Sequence, residues 1–179
     1  MKKNTFLIKR SNTFGSNPSL KMIFFVSAIF LFSVVFSSAY AQCNATLEVQ
    51  KNRSYKSAST ERAATFKMSL KNTSSQVGVF KITTENISKT CSNSTYPSRA
   101  ANVNLKTSVF LASSKRALGE NVKLAAGQTY EFLVKIHVPQ NTPVERWGCV
   151  EVSAVAEGCN AAISPITLSV YVADPSGSQ

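Results

Sequence analysis

The chain has 179 residues, with 20 Lys and Arg against 9 Asp and Glu, a formal charge of +11, and a hydrophobic fraction of 44% beside a charged fraction of 16%. That balance is too apolar for a disordered chain and the length excludes a large multidomain enzyme, leaving one domain as the expectation. Five of the cations and none of the acids fall in residues 1–41, so residues 42–179 keep an excess of only six positive charges.

The N-terminal segment reads as an export signal. Behind Lys2, Lys3, Lys9, Arg10 and Lys21 comes an uncharged apolar run, 22–36 (MIFFVSAIFLFSVVF), and then Ala39-Tyr40-Ala41, which places small residues where a signal peptidase reads them. Cleavage is predicted between Ala41 and Gln42. An uncleaved anchor is the rival reading, since residues 22–41 as a helix would rise about 30 Å, enough for a bilayer core. Lipidation requires a Cys as first mature residue after a small one, and Gln42 before Cys43 argues against it. Cleaved, the chain has no membrane span and divides into a signal peptide (1–41), one folded domain (42–174) and a flexible tail (175–179).

After the leader the pattern has period two. A first strand is predicted over 47–50. The stretch 51–62 (KNRSYKSASTER) reads as a loop gathering Lys51, Arg53, Lys56 and Arg62 around Tyr55. ATFKMSLK then puts Ala64, Phe66, Met68 and Leu70 on one face and Thr65, Lys67, Ser69 and Lys71 on the other, as a half-buried strand requires. A polar turn at Asn72-Thr73-Ser74-Ser75 leads to a strand over 79–84. The irregular stretch 85–104, containing Cys91, exceeds ordinary connection lengths and is either functional or needs a staple. Strands follow over 105–111 and 122–124, and an Ala126-Gly127 turn opens the strongest alternation, Tyr130, Phe132, Val134, Ile136 and Val138. Two more, 148–155 and the Ile166, Leu168, Val170, Val172 alternation, complete seven or eight short strands with no helical stripe. The domain is therefore all-β, a sandwich of two antiparallel sheets that bury the single apolar face of each strand.

The segments ATFKMSLKNTSS, LAAGQTYEFLVKIHVPQNTPVERWGCVEVSAVA and ITLSVYV resemble bacterial immunoglobulin-like domains related to fibronectin type III, including those appended to secreted glycosidases. The resemblance covers nearly all of the mature chain and implies the fold but no particular function. The four cysteines and the long Cys91 loop depart from it. Immunoglobulin topology alternates its turns between two ends of the molecule. On that reading Cys43 pairs with Cys159 and Cys91 with Cys149, while strand extension between Cys149 and Cys159 disfavours joining those two.

Catalytic chemistry is hard to assemble from these residues. A Ser-His-acid triad needs a His with an acidic orienter, and His137, the only one, falls on the outward face beside Lys135. Glu131 and Glu151 lie on outward faces of different strands, not flanking a cleft. One Asp and one His leave neither a calcium cage nor a zinc or copper set, and Gly-rich phosphate loops are absent, so no cofactor and no metal are expected. Sequons at Asn44, Asn52, Asn72, Asn86 and Asn93 matter only in a eukaryotic secretory pathway. Candidate contact residues for a partner are Tyr55, Arg53 and Lys56 in the cationic loop, and Arg146 with Trp147 as a platform. The expectation is a non-enzymatic, disulfide-stapled interaction or accessory module, periplasmic or extracellular, whose partner is another exported protein or an envelope polysaccharide, and not nucleic acid.

Overall fold

The computed structural model describes residues 44–119, 121–159 and 162–177, so the leader, Cys43 and the last two residues lie outside the described part. Among the described residues nine strands run in chain order: β1 (Ala45–Val49), β2 (Tyr55–Ala58), β3 (Ala64–Asn72), β4 (Gly78–Ile87), β5 (Lys106–Leu111), β6 (Val122–Leu124), β7 (Thr129–His137), β8 (Arg146–Ala156) and β9 (Ala162–Val172). They form two sheets, β1-β3-β7-β5 and β2-β9-β8-β4-β6. This is the immunoglobulin-like arrangement, with the first strand split so that β1 serves one sheet and β2 the other.

The alternation read from sequence becomes the packing. Ala64, Phe66, Met68 and Leu70 of β3 and Phe132, Val134 and Ile136 of β7 are buried, facing Val150, Val152, Leu168 and Val170 of the second sheet. Phe66, Phe80 and Phe132 are the largest fully enclosed side chains. Removing such surface from water contributes about 25 cal/mol per Å², the dominant favourable term in folding.

Two expectations are corrected. The segment 51–62 is not one loop: Lys51 and Asn52 turn the chain with positive φ (60° and 52°), and Tyr55–Ala58 becomes an edge strand. It was missed because only Ala58 among its four residues is buried. β2 also runs parallel to β9, pairing Tyr55 with Ser169 and Ala58 with Val172, so the second sheet is not purely antiparallel. A strand that has just crossed between sheets keeps its direction, and that makes it parallel to the last strand.

All four sheet edges are short: β1, β2, β5 and β6 have 5, 4, 6 and 3 residues. β5 is further blunted by its own return, because Phe110 bridges Ala117 and Leu118 N donates to Val109 O. The short edge strands blunt the sheets only where they pair: β6 covers β4 at Gly78–Phe80 and β2 covers β9 at Ser169–Val172. Pro165, which has no N–H to donate, sits where the β8–β9 register slips between Val152 and Ala154, the position at which a sheet tolerates it.

The long stretch after β4 crosses from one sheet to the other, and polar side chains pin it. Asn86 clamps Leu105, its Nδ2 donating to Leu105 O at 3.0 Å and its Oδ1 accepting from Leu105 N at 2.9 Å. Asn102 Nδ2 donates to Ile87 O and Lys89 O at 3.0 and 2.8 Å. Leu105 then fills the space beside Gly148, where a Cβ would collide with its side chain and lie 2.9 Å from Val103 O. Gly148 is thus what lets the crossing chain sit against β8.

Candidate functional site

β8 and β9 present Trp147, Cys149, Ser169 and Tyr171 on the outward face of the second sheet, because Gly148, Val150, Val170 and Val172 take the inward positions. An indole and a phenol on an outward face need cover, and the stretch between β4 and β5 supplies it. Cys91 is joined to Cys149, with Cα atoms 6.0 Å apart. Trp147 Nε1 donates to Tyr96 O at 2.7 Å, and Val103 N donates to Trp147 O at 2.8 Å. The Tyr96 ring stacks on Tyr171 with centroids 4.4 Å apart and planes 21° apart, while the indole packs on Tyr171 at 5.4 Å.

This arrangement buries one aromatic and exposes two. Trp147 is 3% exposed, so it is a floor beneath the loop and not the surface platform expected from sequence. Tyr96 remains 46% exposed on top of it, and Tyr55, on the outward side of neighbouring β2, is 63% exposed. The register places Ser57 opposite Tyr171 and Tyr55 opposite Ser169, two positions along. Tyr55 and the Tyr171–Tyr96 stack therefore share one outer face. Burial, reinforced by the Glu145 carboxylate and by Tyr96, holds the Tyr171 hydroxyl above its ordinary pKa of 10.0.

The cations of 51–62 are dispersed, contrary to the expected cluster. Lys56 alternates to the inner side: its ammonium lies 5.2 Å from the Phe66 ring centre and donates to Thr65 O. Lys56 is thus half-buried against the inner side of the strand. Lys51 lines a groove with Glu48, Lys67 and Glu131 on the side of the first sheet. Arg53 is exposed beside β2, and Arg146, also exposed, donates to Glu145 O at 3.4 Å. Of the five contact candidates, Tyr55, Arg53 and Arg146 stay at the surface. Tyr96 and Tyr171 were missed, although an aromatic at an outward position of the alternating segment ITLSVYV was a readable signal.

The acids do not combine into a catalytic set. Glu131 on β7 and Glu151 on β8 belong to the outer faces of opposite sheets, and Glu131 pairs with Lys67 at 3.0 Å. Glu151 instead faces Glu85 directly across β4–β8. His137 lies opposite Lys106 at the end of β7. Among the described residues no three His, Cys, Asp or Glu converge to hold a metal, and no helix is long and apolar enough to cross a membrane. Cys159 is not a free thiol, and Cys43, its expected partner, lies outside the described residues.

No protein-family model and no curated protein matches the sequence. By structure the chain is similar to a family 123 glycoside hydrolase from Clostridium perfringens (11% identity, TM-score 0.48), over 74% of this chain and 27% of that one. It is similar to a FixG-related protein from Vibrio parahaemolyticus (5% identity, TM-score 0.45), over 73% of this chain and 96% of that one. A third likeness is to the CsuC-CsuE chaperone-tip adhesion subunit pre-assembly complex of Acinetobacter baumannii Csu pili (12% identity, TM-score 0.38), over 71% of this chain and 57% of that one. The chain thus spans under a third of the hydrolase and a little over half of the pilus-system chain.

Proposed function

We propose that the chain is an exported, non-enzymatic interaction module that engages another exported protein through the tyrosine face of its second sheet. One observation carries this reading: a long loop, bridged by Cys91–Cys149, holds Tyr96 half exposed on Tyr171, on the face that also presents Tyr55. Rigid tyrosines offer large amphipathic contact area at low entropic cost, and interfaces are enriched in them. Export is supported by the cationic, apolar and A-x-A-ending leader and by the bridge itself, since disulfides persist in oxidising compartments. The module would be residues 42–174, with 175–179 as a tail and Cys43–Cys159 as a second bridge. Its finer affiliation, to fibronectin type III-related domains of secreted glycosidases, rests on the sequence motifs alone.

A second reading, binding of an envelope or extracellular polysaccharide, is favoured by the flat Tyr96–Tyr171 stack with Arg53 and Arg146 exposed. Gentle extraction from the source, sizing chromatography and mass spectrometry of co-eluting material separate the two. A complex larger than the monomer that the Tyr55→Ala/Tyr96→Ala variant loses supports the protein partner. A monomer retained on envelope polysaccharide, with retention lost in that variant, favours the second reading. A monomer that binds neither removes both.

A further inference from the structure

The opposite outer face, that of β1-β3-β7-β5, breaks its own polar pattern at one place. Phe110 and Leu133 are direct cross-strand partners on outward positions of β5 and β7, where neighbouring outward residues are Lys, Ser, Thr and Glu. Both are only half-buried. They floor a depression of about 390 Å³ whose walls are Thr65, Lys115 and Lys135, a size within the range of small-molecule sites, roughly 300–1,000 Å³. The wall at Lys115 is built: its φ is 54°, its N–H donates to Leu111 O at 2.9 Å, and Leu111 N donates to Arg116 O at 2.8 Å. The turn is thereby fixed over the end of β5.

Charge identifies the occupant. The single ion pair among the described residues is Lys67–Glu131, so neither the Lys115 nor the Lys135 ammonium is neutralised by a carboxylate there. Two unpaired ammonium groups beside an apolar floor complement a molecule with a compact hydrocarbon or aromatic body and one anionic end. Burying the body gains hydrophobic free energy, and the ammonium groups hold the head at the rim, where their stems also cover apolar surface. We propose that this depression binds a small amphiphilic carboxylate, as a single dissolved molecule. The site lies on the face away from the tyrosines, so its fate is independent of the reading above.

The test uses octanoate, octylammonium and octan-1-ol as probes, titrated into the purified protein and followed by backbone amide shifts. Expected are saturable octanoate binding, shifts centred on Phe110, Leu133 and Lys115, and an affinity at least about threefold above that for octylammonium. Leu133→Ser should weaken octanoate about tenfold and Lys135→Gln about threefold. Leu133 and Lys135 lie on the outer face, and a cooperative unfolding transition retained in each variant will show that it folds. Equal affinity for the two charged probes, shifts scattered over the molecule, or undiminished binding by Leu133→Ser would each overturn the proposal. So would binding to anionic vesicles without binding to monomeric octanoate.

Discussion

At the scale of single residues the molecule is organised by asparagines that replace missing backbone partners. Asn72 is fully buried at the end of β3, where its Nδ2 reaches Gln76 O, Leu124 O and Ala125 O at 2.8, 3.1 and 3.2 Å. Its Oδ1 accepts from Ser74 N and Ser74 Oγ at 3.0 and 2.7 Å. One side chain thus closes the β3–β4 turn and anchors the end of β6. Asn72→Ala removes all of these bonds from a fully buried position and is expected to cost about 2–4 kcal/mol, read as a lowered urea midpoint at constant slope. A loss under 0.5 kcal/mol would mean that water replaces the amide. The same burial shows that the Asn72 sequon cannot carry a glycan in the folded protein.

Two tyrosines give the fold a pH dependence whose sign follows from the burial that causes it. Tyr130 and Tyr171 have hydroxyls held above the ordinary value of 10.0, by burial at Tyr130 and by burial with Glu145 and Tyr96 at Tyr171. Above pH 10 the unfolded chain has already lost these protons while the native state keeps them. Stability is therefore unaffected by these groups below pH 10 and falls as pH rises from 10 towards the native values. Tyrosinate absorbance and unfolding midpoints should show this fall. In Tyr130→Phe/Tyr171→Phe it should be shallower, and an identical fall would assign it to other groups.

At the scale of elements, the sequence carries each strand whose two faces differ and hides the one whose faces do not. β3, β7 and β9 were legible because every second residue is apolar over at least seven positions. β2 was not, because an edge strand of four residues needs only Ala58 for the core and its neighbours look like a polar loop. The inward turn of Lys56 was hidden for the same reason, since it follows from the strand. Trp147 and Tyr96 depend on a contact across 51 positions of sequence, which no local pattern encodes.

Register also creates a local conflict that periodicity cannot reveal. Glu85 and Glu151 stand directly opposite in β4 and β8, with the Thr83–Ser153 hydroxyl pair at 2.9 Å as the next outward rung. Like charges at facing positions destabilise a sheet, by about 0.2–1 kcal/mol. Glu85→Lys converts this repulsion into an attraction and should raise stability by about 0.5–1 kcal/mol at low salt, less at high salt. An unchanged midpoint at low salt would show that the two side chains splay apart in solution.

At the scale of the whole molecule, the Cys91–Cys149 bridge does two jobs that a single variant can separate. It closes a span of 58 residues, and in the chain-entropy account a loop of that size stabilises the fold by about 4 kcal/mol. It also presses the Tyr96 segment onto Trp147 and Tyr171. Because Trp147 is the only tryptophan in the chain, its fluorescence reports that covering loop alone. In Cys91→Ser/Cys149→Ser the unfolding midpoint should drop by the global amount. If the bridge also holds the loop down, tryptophan emission should shift to the red under conditions where the sheets remain folded, and a protease should cut at Lys89 or Arg99. Native emission in a globally weakened protein would instead assign the loop's position to Asn102 and the Trp147–Tyr96 hydrogen bond. The bridge would then stabilise the module without shaping its tyrosine face.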